Sequence, residues 1–235
     1  MKYIIAFILI GLVILLHELG HFIAARITGI RVKIFSIGFG PKLLSWKKGV
    51  TEYRISMIPI GGYLLPDINE EKDYFAIPIV RRIIFAAGGP AANIIASIIL
   101  LALIRILQGD PFINAIIAGF FNTFRILSVM ALTLSRIFSD TQSLSGIVGI
   151  VAQGGNFIGG DMIRAVHFMS LIGINLAFIN LLPFPVFDGG KIMLCAAEAV
   201  HPALRKLHVP LSIAGWILIA FLMIYVTYID IGRMI

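Results

Sequence analysis

The sequence predicts a membrane α-helical protein with four transmembrane helices, a membrane-re-entrant β-hairpin and an interfacial amphipathic helix. Three observations support this fold class. Only 13% of the 235 residues are charged and 59% are hydrophobic, whereas a soluble domain averages about 25% charged residues. Four apolar runs reach the length of about 20 residues that a membrane span needs. The segment between the first two runs is instead rich in β-branched and aromatic residues.

The predicted spans cover roughly residues 3–25, 79–104, 165–184 and 211–229 of a single integral-membrane domain. The first run continues past the length of a signal peptide and lacks a small-residue cleavage site, so we expect it to be retained as a membrane helix. The chain shows no internal repeat and no low-complexity tract.

Residues 31–65 are predicted to form the re-entrant β-element. KLLSWKKGVTEYRISM (42–57) is typical of a hairpin that turns near Lys47–Val50, and Gly and Pro on both sides of it disfavour a helix. Non-helical backbone enters a membrane only where protein or a watery cavity satisfies its polar groups. We therefore expect a small sheet that leans on the helices from the cytoplasmic side.

The segment 112–138 is long enough for a fifth span, but its polar pattern predicts an amphipathic helix that lies in the interface. At about 100° per residue its polar side chains, including Asn114, Asn122 and Arg125, fall on one side. Thr123 is the clear exception to this pattern.

The net charge of +7 does not indicate a nucleic-acid partner, because the positive charge is concentrated in one segment. Ten of the nineteen Lys and Arg residues lie between Arg26 and Arg82, which is a positive-inside signal. This loop, and the later one with Lys191, Arg205 and Lys206, are predicted to be cytoplasmic. Both termini are then extracytoplasmic.

The stretch LLHELGHF (15–22) carries the strongest chemical motif of the sequence. H-E-x-x-H on a helix places His17 and His21 one turn apart, where both can bind one metal ion, with Glu18 beside them as a general base. Ionisable side chains at membrane depth are costly and need a partner or a function. A metal site is therefore favoured over two core histidines.

A zinc site of this kind needs a third protein ligand, and Asp188 in NLLPFPVFDGG is the best candidate. An Asp before Gly is also a common turn residue, but this one lies beside the end of the third span. Glu198, His201 and His208 are expected on a solvated loop or at helix ends, and His167 at the opposite end of the third span.

The membrane sides of these candidates provide a second reason to place 112–138 in the interface. His21 lies near the far end of the first span, and Asp188 lies near the far end of the third. The two share a membrane side only if a single crossing separates those spans.

Asparagines within the apolar segments are further candidates. Asn180 and Asn175 precede the proposed Asp ligand and either link helices by hydrogen bonds or contact substrate. Asn93 could hydrogen-bond near the site, but a packing role is expected. Small residues beside it should let the second span approach its neighbours closely: Gly88, Gly89, Ala91 and Ala92.

Five stretches in order resemble a known family. HELGHFIAAR, GIRVKIFSIGFGPKL, TEYRISMIPIGGY, GGPAANI and INLLPFPVFDGG are similar to signature stretches of the site-2 protease family of intramembrane zinc metalloproteases. The resemblance covers nearly the whole chain and is closest to the bacterial branch that cleaves anti-sigma factors and signal-peptide remnants.

The resemblance implies one zinc ion per chain, held by His17, His21 and Asp188, with Glu18 as the catalytic residue. It also implies that Asn180 contacts the substrate and that the β-element receives the substrate as an added strand. The 42–57 hairpin is the part of this element expected to supply the receiving edge. The implied substrates are single-pass membrane proteins cleaved in or near their transmembrane segments, and the implied location is the inner membrane of a bacterium.

Two departures from the family pattern stand out. Members of this branch often carry PDZ domains between spans two and three, but residues 108–161 are too few for one, since a PDZ domain needs about 80–100 residues. LSGIVGI (144–150) also has Ile147 where the family usually has proline.

Two other functions stay open from the sequence. A zinc-handling transporter would need polar residues along several spans, and spans two and four contain almost none. A catalytically silent scaffold of the same family is the second alternative. Two imidazoles and a carboxylate also suit Fe(II).

Overall fold

The computed structural model describes residues 1–137 and 147–232. In chain order its elements are α1 (Lys2–Thr28), β1 (Val32–Lys48), β2 (Thr51–Pro66), α2 (Glu71–Ala76), α3 (Ile79–Leu107), α4 (Phe112–Ile137), α5 (Ile147–Ile158), α6 (Met162–Leu181), α7 (Asp188–Val200), a 3-10 helix (Pro202–Leu207) and α8 (His208–Gly232). The predicted spans coincide with α1, α3, α6 and α8. Residues 144–146 of the LSGIVGI stretch lie outside the described residues.

Five stretches of the described residues are long and apolar enough to cross a membrane. They lie in α1, α3, α4 and α6 and over Pro202–Tyr225. The sequence predicted four spans, so α4 is an additional candidate by length and composition. The chain is a multi-pass membrane protein.

Local sequence signals explain the end of α1 and both ends of α6. Gly29 ends α1 with a φ of 74°, a left-handed conformation that glycine adopts without a Cβ penalty. Asp161 begins α6, because its carboxylate accepts hydrogen bonds from the backbone N–H groups of Ile163 and Arg164. The helix ends at Leu181, three residues before the predicted end, since prolines follow.

The α1–α3 contact is unusually close because glycines meet there. A Cβ on Gly20 would lie 2.5 Å from the Cβ of Ala92, and one on Gly88 would lie 2.6 Å from the Cβ of Ala24. This confirms the prediction that small residues of GGPAAN allow close helix approach. Ala91 does not take part in this contact, because it is exposed on another face of α3.

The predicted hairpin is confirmed, and its two strands are longer than the hairpin alone. Both strands bend, so that residues 34–37 of β1 pair with 62–65 and also with 52–55 of β2, while 42–48 pair with 51–56. The segments 42–48 and 62–66 are therefore the two edges of the sheet, each paired on one side within the described part of the chain.

The sheet lies along α1. At one end, a Cβ on Gly11 would be 3.1 Å from the backbone nitrogen of Gly61. At the other end, the Arg26 guanidinium donates a hydrogen bond of 3.2 Å to the Tyr53 hydroxyl. The contact therefore extends over most of the length of α1.

Helix α4 contacts the C-terminal part of α3 over several turns. A Cβ on Gly119 would lie 3.2 Å from the Cβ of Ala102, and Met130, three turns later, still packs on a cluster that contains Leu101. Thr123, the exception in the polar pattern, is fully buried between these contacts. The contact explains why this one polar residue lies off the polar side.

A buried ion cluster joins α3 to α7 and to the segment before α8. Arg82 donates two hydrogen bonds of 2.8 Å to the Glu198 carboxylate, and Arg205 donates a third of 2.7 Å. The bonds from Arg82 hold the pKa of Glu198 below its usual range. Glu198 and His208 lie at helix ends as expected, near the end of α7 and at the start of α8. The expectation of solvation was wrong, because their exposed fractions are 2% and 7%. The reason is that the partner, Arg82, stands 116 residues earlier in the chain.

Glu198→Gln should lower the free energy of unfolding by roughly 3–5 kcal/mol, because the Arg82 guanidinium then stays buried without its counter-charge. Thermal unfolding of the purified protein in detergent measures this loss. Asp110→Asn removes the more exposed ion pair with Arg105 and is the control, with an expected change of about 1 kcal/mol or less. Equal losses in the two variants would contradict the prediction.

Candidate metal centre

Two histidines of α1 and the first residue of α7 converge on one point. The Nε2 atoms of His17 and His21 lie 3.1 Å apart, and each lies 3.1 Å from Oδ2 of Asp188. All three side chains are buried. Among the described residues this is the one group of three His, Cys, Asp or Glu side chains whose ligand atoms are close enough to hold a metal ion.

Asp188 reaches this point because α7 begins directly after a tight turn. The two glycines that follow it pack against backbone carbonyls, since a Cβ on Gly189 would collide with that of Leu181 and one on Gly190 with that of Phe184. The DGG sequence therefore serves packing as well as chemistry: no larger residue fits at either glycine without moving α7.

Hydrogen bonds at the far side of each imidazole set its orientation. His21 Nδ1 lies 2.8 Å from the backbone carbonyl oxygen of Phe85, which can only accept, so Nδ1 carries the proton and Nε2 presents a lone pair. His17 Nδ1 lies 3.3 Å from the side-chain amide of Asn93. Asn93 therefore contacts a candidate ligand, in addition to the packing role that the sequence predicted.

The oxygen and nitrogen ends of the Asn93 amide have nearly the same shape, so the orientation of this group follows from its hydrogen-bond partners. With Nδ2 beside His17, the buried Oδ1 has no hydrogen-bond partner in the described structure. The opposite orientation lets Oδ1 accept from His17 Nδ1–H and frees Nε2 of His17 for a metal. The sequence signal for this role of Asn93 was a polar residue within an otherwise apolar helix, since such a residue needs a partner at membrane depth.

A cavity of about 640 Å³ opens beside the group. The half-buried Glu18 and the side chain of Asn180 line it, and so does Lys191. Asn175 lies elsewhere, in a cavity of about 460 Å³ between α1, α5 and α6. The structure therefore brings Asn180, but not Asn175, to the group. Other parts of the wall come from α3 and the segment before α7, and from residues of β2, α2 and α8 that include Tyr63, Leu64, Tyr74, Trp216 and Ile219.

The other titratable candidates are placed apart from this group. His201 is exposed at the end of α7, and His167 lines a third cavity together with residues of α4. Neither belongs to the metal-capable group.

Residues 5–225 match the profile of Peptidase family M50. The chain belongs to this family. A predicted zinc metalloprotease of Clostridium perfringens is 26% identical over 98% of this chain and 98% of its own length, in an alignment of 334 positions. That alignment is longer than the 235-residue chain, so this relative has segments without a counterpart here.

Two further relatives match more locally. A predicted zinc metalloprotease of Chlamydia pneumoniae is 33% identical over 73% of this chain and 26% of its own length. One of Treponema pallidum is 38% identical over 45% of this chain and 27% of its own length. The chain thus spans about a quarter of the length of these two relatives.

M50 peptidases are zinc-dependent, and the geometry of the group fits zinc. Ligand atoms around tetrahedral zinc lie about 3.3 Å apart when the bonds are about 2.0 Å long, close to the 3.1 Å found here. Gly89 adds independent support, because a Cβ there would lie 2.5 Å from Nε2 of both His17 and His21. The backbone leaves open the space that a metal ion beside these nitrogens requires.

Gly89→Ala should weaken zinc binding by roughly tenfold or more, because the added methyl displaces both imidazoles from the convergent geometry. Isothermal titration of the metal-depleted protein with Zn²⁺ measures the change. Ala91→Val adds bulk on an exposed face of the same helix and should bind zinc normally. Unchanged affinity in Gly89→Ala would show that the ion does not sit between these imidazoles.

Proposed function

We propose that this M50 peptidase hydrolyses peptide bonds within or near the transmembrane segments of single-pass membrane proteins. In this proposal His17, His21 and Asp188 hold the zinc ion and Glu18 is the catalytic residue. The observation that supports it best is the 3.1 Å triangle of ligand atoms beside a cavity that Glu18 lines, within a bundle of apolar helices.

The residues of the cavity would divide the chemistry between them. Zinc bound there supplies a water of lowered pKa and polarises the scissile carbonyl. The Glu18 carboxylate takes a proton from the attacking water and passes it to the leaving amine. Asn180 lines the same cavity, and its Nδ2 donates to the Leu176 carbonyl of its own helix. We propose that its amide oxygen accepts a hydrogen bond from a substrate N–H.

We propose that the sheet enters the bilayer beside α1. Its contacts extend from Arg26 to Gly11, a separation of about 22 Å along the helix axis at 1.5 Å per residue. The hydrocarbon core is about 30 Å thick. If α1 spans the membrane with Arg26 on the cytoplasmic side, the sheet reaches well into the core and the metal centre lies in the cytoplasmic half.

We further propose that α4 lies along the interface, which leaves a single crossing between α1 and α6. A Cβ on Gly119 would lie 3.2 Å from the Cβ of Ala102 of α3, and Met130 packs on a cluster that joins Leu101 and Ile104 of α3 to Ile174 of α6. A helix that recrossed the membrane antiparallel to α3 would by then lie beside the N-terminal half of α3. The position of Met130 beside a cluster from the C-terminal half therefore supports a transverse helix. Both termini are then extracytoplasmic, in a bacterial inner membrane.

A bound substrate must be unwound, because a helix hides its carbonyls in internal hydrogen bonds. We propose that the edge 62–66 receives the unwound segment by strand addition. Tyr63, Leu64 and Pro66 of this edge line the cavity together with Glu18. Among the described residues the other edge, 42–48, contributes nothing to the cavity lining, so this proposal moves the receiving strand away from the 42–57 hairpin.

Two other functions would give different results. A zinc-handling transporter would move zinc into liposomes without cleaving a peptide, and a silent scaffold would bind zinc and capture a transmembrane peptide without forming product. The intact Glu18 beside the metal-capable group favours the peptidase over the scaffold.

Glu18→Gln should reduce cleavage of a model transmembrane peptide at least about a hundredfold, because proton transfer is lost, and should retain bound zinc. Mass spectrometry of the products and metal analysis of the protein measure the two effects. Glu71→Gln, an exposed change on α2, should keep both. Loss of zinc in Glu18→Gln would make the residue a ligand rather than a base.

Strand addition predicts that the effect of backbone N-methylation on cleavage alternates from one substrate residue to the next. N-methylation should slow cleavage at alternate residues near the scissile bond, because alternate backbone N–H groups of an added strand face the edge. Cleavage rates of a series of singly N-methylated peptides test this, with side-chain methylated isomers as controls. Equal effects at successive positions would contradict the proposed edge contact.

A further inference from the structure

We infer that Lys191 is a positioning residue that makes Asp188 bind the metal through one oxygen only. Lys191 Nζ lies 3.0 Å from Oδ1 of Asp188, while Oδ2 of the same carboxylate lies 3.1 Å from both imidazole nitrogens. The two carboxylate oxygens therefore have different partners. This inference rests on the proposed function of the metal centre and adds a residue to it.

The local fold places the ammonium at this oxygen. Asp188 and Lys191 are three residues apart on α7, so they share one side of the helix. Gly189 and Gly190 lock that first turn against the carbonyls of the preceding segment. The side chain of Lys191 is 48% exposed and lines the cavity, so its charge lies at the wall where substrate would bind.

The consequence concerns the coordination number of the metal. A carboxylate can bind a metal through one or two oxygens, whereas a catalytic zinc site has three protein ligand atoms and one position left for water. A charge-assisted hydrogen bond to Oδ1 keeps that oxygen away from the metal. The fourth position then stays available for the reacting water.

With Lys191 included, each of the three ligands is held at the atom that faces away from the metal. Phe85 holds Nδ1 of His21, Asn93 holds Nδ1 of His17, and Lys191 holds Oδ1 of Asp188. Such outer contacts orient metal ligands, and their loss typically lowers metal affinity 10–100-fold. Of these three residues, Phe85 and Lys191 also line the cavity, and Lys191 is the one that brings a charged side chain to it.

Cobalt substitution tests the inference, because the visible absorption of Co²⁺ is intense in four-coordinate sites and weak in five- or six-coordinate ones. The variants are Lys191→Met, which keeps much of the side-chain length without the charge, and Lys191→Arg, which retains a cationic donor. Lys206→Met removes a cation from the segment after α7 without touching the cavity lining and is the control. Thermal unfolding checks that each variant is folded.

In Lys191→Met we expect the Co²⁺ absorption to weaken and the Zn²⁺ affinity to fall 10–100-fold, with both restored in Lys191→Arg and unchanged in Lys206→Met. An unaltered Co²⁺ spectrum in Lys191→Met overturns the inference, whether or not affinity falls. If the variants behave as expected and the parent protein cleaves no transmembrane peptide, the proposed function fails while the role of Lys191 stands.

Discussion

Three polar side chains meet inside a largely apolar bundle, and their pairing with one another is the constraint on which the rest of the structure depends. Ionisable groups at membrane depth are costly unless they are partnered. His17, His21 and Asp188 satisfy this condition by converging to 3.1 Å, which is also the arrangement that a metal ion needs. The same geometry therefore meets the demands of burial and of chemistry.

This convergence explains why the helices around it pack so closely. The glycine contact between Gly20 and Gly88 brings the backbone of α3 against the HExxH turn, and from there Phe85 and Asn93 reach the two imidazoles. A larger residue at either glycine would separate the helices and remove both hydrogen bonds at once. Close packing and ligand orientation are thus one property of the α1–α3 contact.

The second helix of the site is held from both ends. The first turn of α7 packs against the turn after α6 through Gly189 and Gly190, and its last turn is tied to α3 by the Arg82–Glu198 ion pair. Because α3 also carries the groups that orient the histidines, the ion pair keeps Asp188 in register with them. A salt bridge that lies away from the ligands therefore helps to hold Asp188 in position relative to the two histidines.

Much of this arrangement follows from the sequence because its signals are local. Apolar run length predicts the spans, Gly and Pro predict the breaks, and the i, i+4 spacing of HExxH places His17 and His21 on one face whatever the rest of the chain does. Asp188 could be selected as the third ligand because it follows two prolines at the end of an apolar run and precedes two glycines. These inferences need no knowledge of which elements touch.

Only the tertiary structure decided the contacts between residues that are distant in sequence. The sequence alone predicts that Glu198 lies at the surface, because its partner Arg82 stands 116 positions earlier in the chain. It predicts a packing role for Asn93, because the contact with His17 depends on α3 crossing α1 one turn from that residue. The edge of the sheet that borders the cavity was likewise undetermined, since it depends on how both strands bend. The physical reason is the same in each case: hydrogen bonds and charges act over a few ångströms, and sequence separation carries no information about that distance.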